Sequence, residues 1–257
     1  MMHRKNKAVF ITGAASGLGE ATAERLAADG YDLALVDLNA EALRVVAERL
    51  RSQGAKVWFA ALDVSDENQV QSVFQNAVEE HSRLWAAVNV AGIGIPSAFS
   101  DLTTAMWNKT FAVNVTGTFL VCQAAAAHFG DQGGRIVNVT SIAAQQGSPL
   151  LIDYSASKGA VSSFTKALAR VLAPKGVNVN AVAPGYIRTN MWRAGEERME
   201  AESAGESIFD ATVARAVPLG RPQTGGDVAG AIAYLVSDDA HNVTGQTMNV
   251  DGGTVMR

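Results

Sequence analysis

A short apolar run, Ala8-Val9-Phe10-Ile11, feeds straight into Thr12-Gly13-Ala14-Ala15-Ser16-Gly17-Leu18-Gly19, and then into residues with helical periodicity, Ala23, Leu26 and Ala27. Four consecutive apolar residues without alternation suit a strand buried on both faces, as in a parallel sheet. Glycines at 13, 17 and 19 let the backbone turn sharply out of that strand, approach a pyrophosphate and seat the next helix against the sheet. Ser16 and Leu18 complete the loop, and free N–H groups at the helix start would meet phosphate charge. A plain tight turn is the competing reading. The strand-helix pattern on both sides favours a nucleotide.

That pattern continues along the chain. Asp32 to Asp37 is a second strand ending in a carboxylate, at about the distance past the glycines where an acid accepts hydrogen bonds from an adenosine ribose. Leu38 and Ser16 supply no cation for a 2′-phosphate, so NAD is expected over NADP. The alternative for Asp37 is a helix cap before Asn39, although Asn39 can cap by itself. A helix from Ala40 to Gln53 precedes a strand from Lys56 to Ala60. Asp63-Val64 follows, a polar and an apolar side chain that could flank an adenine ring. Asp66 caps a helix carrying Val70, Val73, Phe74 and Ala77. The strand Trp85 to Val88 ends in Asn89-Val90-Ala91-Gly92, small residues where open parallel sheets form their ligand crevice. Thr103 to Phe129 is apolar nearly all round, predicting a helix buried on several sides. Asn114 in its middle is either a structural amide or a site residue, because a buried amide needs partners.

Gly134 to Val139 is a fifth strand with Thr140-Ser141 at its end. A helix with Val161, Phe164, Leu168, Val171 and Leu172 on its packing face stops at Lys175-Gly176. Val177 to Val182 is the sixth strand, closed by Ala183-Pro184-Gly185. A polar helical stretch from Asn190 to about Ala216, a helix from Gly226 to Ser237 and a strand from Gln246 to Val250 complete the count. Seven strands alternating with helices, without repeat or linker, define one doubly wound α/β domain over residues 1–257.

Composition removes several functions. The net charge of −4 gives no electrostatic reason to expect nucleic acid. Four scattered histidines offer no metal-ligand spacing, so no metal is expected, and Cys122 is alone. The basic opening residues lead to glycines rather than to a secretion signal. No apolar stretch free of strong breakers reads as a membrane helix. A soluble, cytoplasmic protein is the expectation.

Tyr154 and Lys158, four residues apart, share one face of a helix. An ammonium near a phenol favours the phenolate, and this predicts an acidified tyrosine able to trade a proton with an alcohol or carbonyl. A solvated helix face with a snorkelling lysine is the bland reading.

Taken together, Thr12-Gly13-x3-Gly17-x-Gly19, Asn89-x-Ala91-Gly92, Asn114, Ser141, Tyr154-x3-Lys158 and Pro184-Gly185 stand in an order and at spacings that resemble the short-chain dehydrogenase/reductase family over nearly the whole chain. Val90 departs from the family's usual second asparagine, which puts one backbone-positioning contact in question. The resemblance implies a single Rossmann domain with a seven-stranded parallel sheet and a tetrad of Asn114, Ser141, Tyr154 and Lys158. Tyr154 would be the general acid/base and Ser141, rather than its neighbour Thr140, would hold the substrate oxygen. Lys158 would hold the nicotinamide ribose, and Asn114 would position a water in a proton relay. NAD would be held by Gly13, Ser16, Gly17, Leu18, Gly19, Asp37, Asp63, Val64, Asn89, Ala91, Gly92, Tyr154, Lys158, Pro184, Gly185, Ile187 and Thr189.

In this family the segment after Pro184-Gly185 forms a substrate lid, here about 186–217. Ile142, Gln146, Ser148, Tyr186 and Trp192 are candidate pocket residues. Met191-Trp192 on a long lid is similar to branches acting on small diols, acetoin and sugar alcohols. The expected function is therefore an NAD-dependent dehydrogenase of a small polyol, sugar or vicinal diol. A 3-oxoacyl thioester reductase is the alternative, although six acids between Arg193 and Asp210 make a poor landing site for an anionic carrier. An NAD-sensing binding protein without turnover is a third. The resemblance also implies a homotetramer.

Overall fold

In the computed structural model, described over residues 7–81, 83–188 and 208–256, the sheet is built from seven parallel strands. They are β1 (Ala8–Thr12), β2 (Asp32–Asp37), β3 (Val57–Ala61), β4 (Leu84–Asn89), β5 (Gly134–Val139), β6 (Val177–Pro184) and β7 (Thr247–Val250). Their spatial order is β3-β2-β1-β4-β5-β6-β7. The order reverses at β1, so the crevice beyond the C-terminal ends of β1 and β4 is a topological switch point, where such sheets bind ligands.

Alternation along each strand splits the core in two. Val9, Ile11, Leu33 and Leu35 face α1 (Gly17–Ala28), α2 (Ala40–Ser52) and the late helix Gly225–Val236. Ala8, Phe10, Ala34 and Val36 face the other way, onto α3 (Glu67–His81), the helices after β4, and the helix that carries Tyr154. Both faces of the central strands are covered, which is why they read as unbroken apolar runs.

Thr103–Phe129 departs from expectation. It is α4 (Thr104–Phe111), one wide π-helical turn (Ala112–Gly117) and α5 (Thr118–Phe129). It is not buried throughout: Thr110 is the one buried residue of α4, while α5 packs Leu120, Val121, Cys122, Ala125 and Phe129 into the core. By length and apolarity alone this 26-residue span would suffice to cross a membrane, contrary to the sequence reading. Here α5 lies against α3, β4 and β5. An unforeseen short helix, α6 (Ala143–Gln146), follows β5, and α7 (Ile152–Leu172) carries Tyr154 and Lys158. After the undescribed segment come α8 (Ile208–Ala216) and α9 (Gly225–Val236). The first part of the expected lid helix lies outside the described residues.

Candidate active site

A cleft of about 920 Å³ opens where β1, β2, β4, β5 and β6 end. At one end lies the glycine turn. A side chain at Gly13 (φ +68°) would stand 2.9 Å from the backbone of Ala91, and one at Gly19 would collide with the Gly13 carbonyl. Two backbones and a helix start therefore meet with no side chain between them. Ser16 makes no capping bond, so it and the first N–H groups of α1 face the cleft without intrahelical partners. Asp37 steadies this turn: its carboxylate accepts from Ala15 N at 3.0 Å and from Asn39 N at 2.8 Å. Asn39, not Asp37, caps α2, accepting from Ala42 N at 3.1 Å. Asp37 lines the cleft with Leu38, Asp63 and Val64. Asp63 is partly committed to Ser65, whose N and Oγ donate to it at 2.9 and 2.6 Å.

Asn89 does not face the cleft. It pairs in register with Asn138 of β5, and its Nδ2 donates to Asn138 Oδ1 at 2.9 Å and to Cys122 Sγ at 3.3 Å. Neighbouring parallel strands point in-register side chains to the same face, and here that face is the core beneath α5 and α7. The Asn89 side chain therefore lies beneath the cleft floor and supports it from below. Burial pushes the Cys122 thiol up to about 12, so it is inert. The valine at position 90 costs no contact, because Thr12 Oγ1 accepts from the backbone N of both Val90 and Ala91 at 3.1 Å.

Asn114 is wholly buried, and its amide is engaged at both ends. Oδ1 accepts from Ile93 N at 2.8 Å, while Nδ2 donates to Ile93 O at 2.8 Å and to Ser157 Oγ at 2.9 Å. Both amide protons are thus spent, while Oδ1 keeps a second lone pair. The backbone carbonyl takes the Thr118 hydroxyl at 2.8 Å and keeps a second lone pair as well, so either oxygen of Asn114 can accept from a relay. Ser157, which sequence reasoning missed, donates to Tyr154 O at 2.7 Å, so Asn114 holds the tyrosine's helical turn. A Cβ on Gly92 would lie 3.1 Å from Lys158 Nζ and 3.2 Å from Asn114 Oδ1, so glycine lets both reach this point.

Ser141, Tyr154 and Lys158 come together on the cleft wall. Lys158 Nζ lies 5.6 Å from the Tyr154 ring centroid and donates to the Val139 carbonyl at 2.8 Å. Thr140 is occupied elsewhere, its hydroxyl donating to Val182 O at 2.9 Å. Ser141 Oγ accepts from Ala143 N at 3.1 Å, leaving its own proton free to donate, and it stands near enough to the Tyr154 phenol to favour its ionised form. The expected acidified phenol is corrected here. Burial raises the Tyr154 pKa, with Ser141 pulling it down, and burial lowers Lys158 to about 8. Desolvation is the leading cause for both groups. Part of the tyrosine ring still faces the cleft, so water reaches it.

Ile142, Gln146, Ser148 and Tyr186 line the same cleft, as do Pro184, Gly185 and Ile187. Lys109, Pro96 and Leu150 line it too and were not foreseen. Tyr186 rests against Phe209, Val213 and Val217, which tie α8 to the cleft mouth. Thr189 and Trp192 lie outside the described residues. Among the described residues no group of three or more His, Cys, Asp or Glu side chains could hold a metal. The bare backbone at Gly13 and Gly19, the open N-terminus of α1 and the Asp37 carboxylate suit a dinucleotide, with its phosphates on the glycine turn.

A family model described as enoyl-(acyl carrier protein) reductase matches residues 13–255. An L-2,3-butanediol dehydrogenase of Corynebacterium glutamicum is 38% identical over 96% of this chain and 98% of its own. A diacetyl reductase [(S)-acetoin forming] of Staphylococcus epidermidis is 38% identical over 98% of this chain and 100% of its own. The structure of NAD+-bound xylitol dehydrogenase superposes with a TM-score of 0.92, at 31% identity over 98% of this chain and 100% of that one. With this sheet and this cleft, the chain belongs to the short-chain dehydrogenase/reductase family.

Proposed function

We propose that this protein is an NAD-dependent oxidoreductase interconverting small secondary alcohols and ketones, with vicinal diols and polyols as its substrate class. The observation that carries this reading is the meeting of Ser141, Tyr154 and Lys158 in one cleft whose far end is the glycine turn and Asp37. The relatives that act on butanediol and diacetyl, and the xylitol dehydrogenase neighbour, support the substrate class.

In alcohol oxidation the Tyr154 oxygen takes the hydroxyl proton, and in ketone reduction it returns one. Ser141 donates to the substrate oxygen as charge develops there. Lys158 offers its two remaining protons toward the cleft, to a ribose and to the phenol. Asn114, through Ser157, keeps the tyrosine's turn in place. When bound, NAD supplies the hydride acceptor. Asp37 meets the adenosine ribose hydroxyls and repels a 2′-phosphate. Ile142, Gln146, Ser148 and Tyr186 shape the substrate end, and Thr189 and Trp192 are proposed to join them.

The test is an NADH absorbance screen of the purified protein over diols, polyols, sugars and hydroxy acids. Turnover of a vicinal diol or polyol with NAD is expected. NADPH-driven turnover of acetoacetyl thioesters, with none of alcohols, would instead select the thioester reductase, which the family model's description also fits but less well than the diol and polyol relatives fit the first reading. NAD binding without turnover would select a sensing protein. We further propose a homotetramer, for which exposed Trp107, Phe119 and Val171 on α4, α5 and α7 supply apolar contact surface, and a cytoplasmic location, since soluble substrates call for no membrane.

A further inference from the structure

Helix α6 begins two residues after Ser141, and its last turn is fastened to a segment more than a hundred residues away. Gln145 Nε2 donates to Asn249 Oδ1 at 2.7 Å, and Asn249 Nδ2 donates back to Gln145 Oε1 at 3.2 Å. Two amides paired face to face fix each other's rotation as well as their separation. The other proton of Asn249 Nδ2 goes to Val255 O at 2.9 Å. The Asp251 carboxylate accepts from Gly253 N at 3.0 Å and Val255 N at 2.9 Å. Residues 249–255 thus form a turn laced to itself, with Asn249 as its outlet toward α6.

At the other end of α6 lies the catalytic hydroxyl. Ala143 N–H, in the first turn of α6, donates to Ser141 Oγ and so decides where that hydroxyl can send its own proton. Ile142 N is pinned to Pro184 O at 3.1 Å. A four-residue helix cannot hold itself in water, because its nucleation cost is never recovered. Its orientation therefore depends on what holds it from outside: its packing against α7 and these two ties, one at each end. The proton-transfer geometry depends on its orientation.

We infer that the Gln145–Asn249 amide pair is a positioning device for Ser141, through which the C-terminal turn helps set the alignment of the serine hydroxyl with the Tyr154 phenol. This rests on the roles given to Ser141 and Tyr154 above. A misplacement of about 1 Å at a reacting group can cost on the order of a hundredfold in rate, so partial loosening is expected to cost roughly tenfold.

The test measures kcat, both KM values and thermal unfolding for Gln145→Ala, Asn249→Ala, the double variant and Gln145→Glu, on the best substrate found in the screen. Each alanine variant should lower kcat roughly tenfold while leaving the KM for NAD within about twofold. The double variant should be no slower than the worse single one, since both remove the same link. Gln145→Glu, which keeps the acceptor and loses the donor, should fall between. Gln145 is half-buried, so its alanine variant should fold even if Asn249→Ala does not. Wild-type kcat in Gln145→Ala, losses that multiply in the double variant, or losses that follow only the folded fraction would overturn the inference and leave the function intact. A wild type that turns over no alcohol would overturn both.

Discussion

Asn114 and Ser157 lie 43 residues apart in sequence, yet the amide of one donates to the hydroxyl of the other at 2.9 Å, inside the protein. That bond joins the wide turn between α4 and α5 to the second turn of α7, one residue before Lys158. Replacing Asn114 by alanine would leave the half-buried Ile93 N and Ile93 O without their partner and take one of the two bonds of Ser157 Oγ, which still donates to Tyr154 O. Each stranded polar group costs about 1–3 kcal/mol, so both the melting temperature and kcat should fall. Differential scanning fluorimetry and steady-state kinetics would show it. An Asn114→Ala enzyme as stable and as fast as wild type would contradict this account.

Tyr154→Phe removes the proton carrier and little else. It should lower kcat/KM by ~10²–10⁴ or more, while NAD binding, followed by quenching of tryptophan fluorescence, stays near wild type. A phenylalanine variant with normal turnover would mean that another group moves the proton.

The raised phenol predicts the direction of the pH profile. Oxidation needs the phenolate, and both the upward push on Tyr154 and the discharge of Lys158 near about 8 place that form on the alkaline side. The oxidation rate should still be climbing above roughly pH 8, whereas ketone reduction, which needs the neutral phenol, should be flat there. An oxidation plateau reached by about pH 7 would show that a nearby cation, rather than burial, governs the tyrosine.

Asp37→Asn discards the charge and keeps an acceptor for only one of Ala15 N and Asn39 N, which meet different carboxylate oxygens. The ratio of kcat/KM for NAD to that for NADP should narrow by roughly ten- to a hundredfold. An unchanged ratio would relieve Asp37 of any role in cofactor choice.

His128 gives a stability test. Its Nε2 accepts from Leu84 N at 3.1 Å, which requires the neutral ring, and burial together with Arg83 lowers its pKa. The unfolded chain therefore binds this proton more readily than the folded one. The stabilisation is complete above the unfolded value of about 6.5 and is lost as pH falls from there through the lower folded value. His128→Gln, which can still accept from Leu84, should lose less in melting temperature than wild type between about pH 7.5 and 5. His81 is shifted the same way, so the slope should shrink rather than vanish. Equal slopes would count against it.

The strands, the glycine turn and the Tyr154–Lys158 face were legible because each rests on local periodicity or on spacing within one turn. Strand ends moved by a residue or two, as with β4, which runs on to Asn89. What escaped was fixed by partners distant in sequence. Asn89 stands at a strand's C-terminal end, where ligands usually sit, but its in-register neighbour Asn138 turns it inward; an asparagine in each of two adjacent strands was the available signal. The wide turn at Ala112–Gly117 has no local signature, since Ile93 and Ser157 hold it open around Asn114. The protonation of Tyr154 depends on how deeply it and Lys158 are buried, which no spacing reports.

That wide turn also restricts how the chain can change in length. A helix advances about 100° per residue, so deleting one residue between α4 and α5 would make the turn regular and swing one flanking helix through more than a quarter of a revolution relative to the other. Either Thr110 would leave Asp153 or the apolar face of α5 would rotate off the sheet. Single-residue indels here should be far less tolerated than substitutions, and the irregularity is in effect a fixed phase offset between two rigid rods.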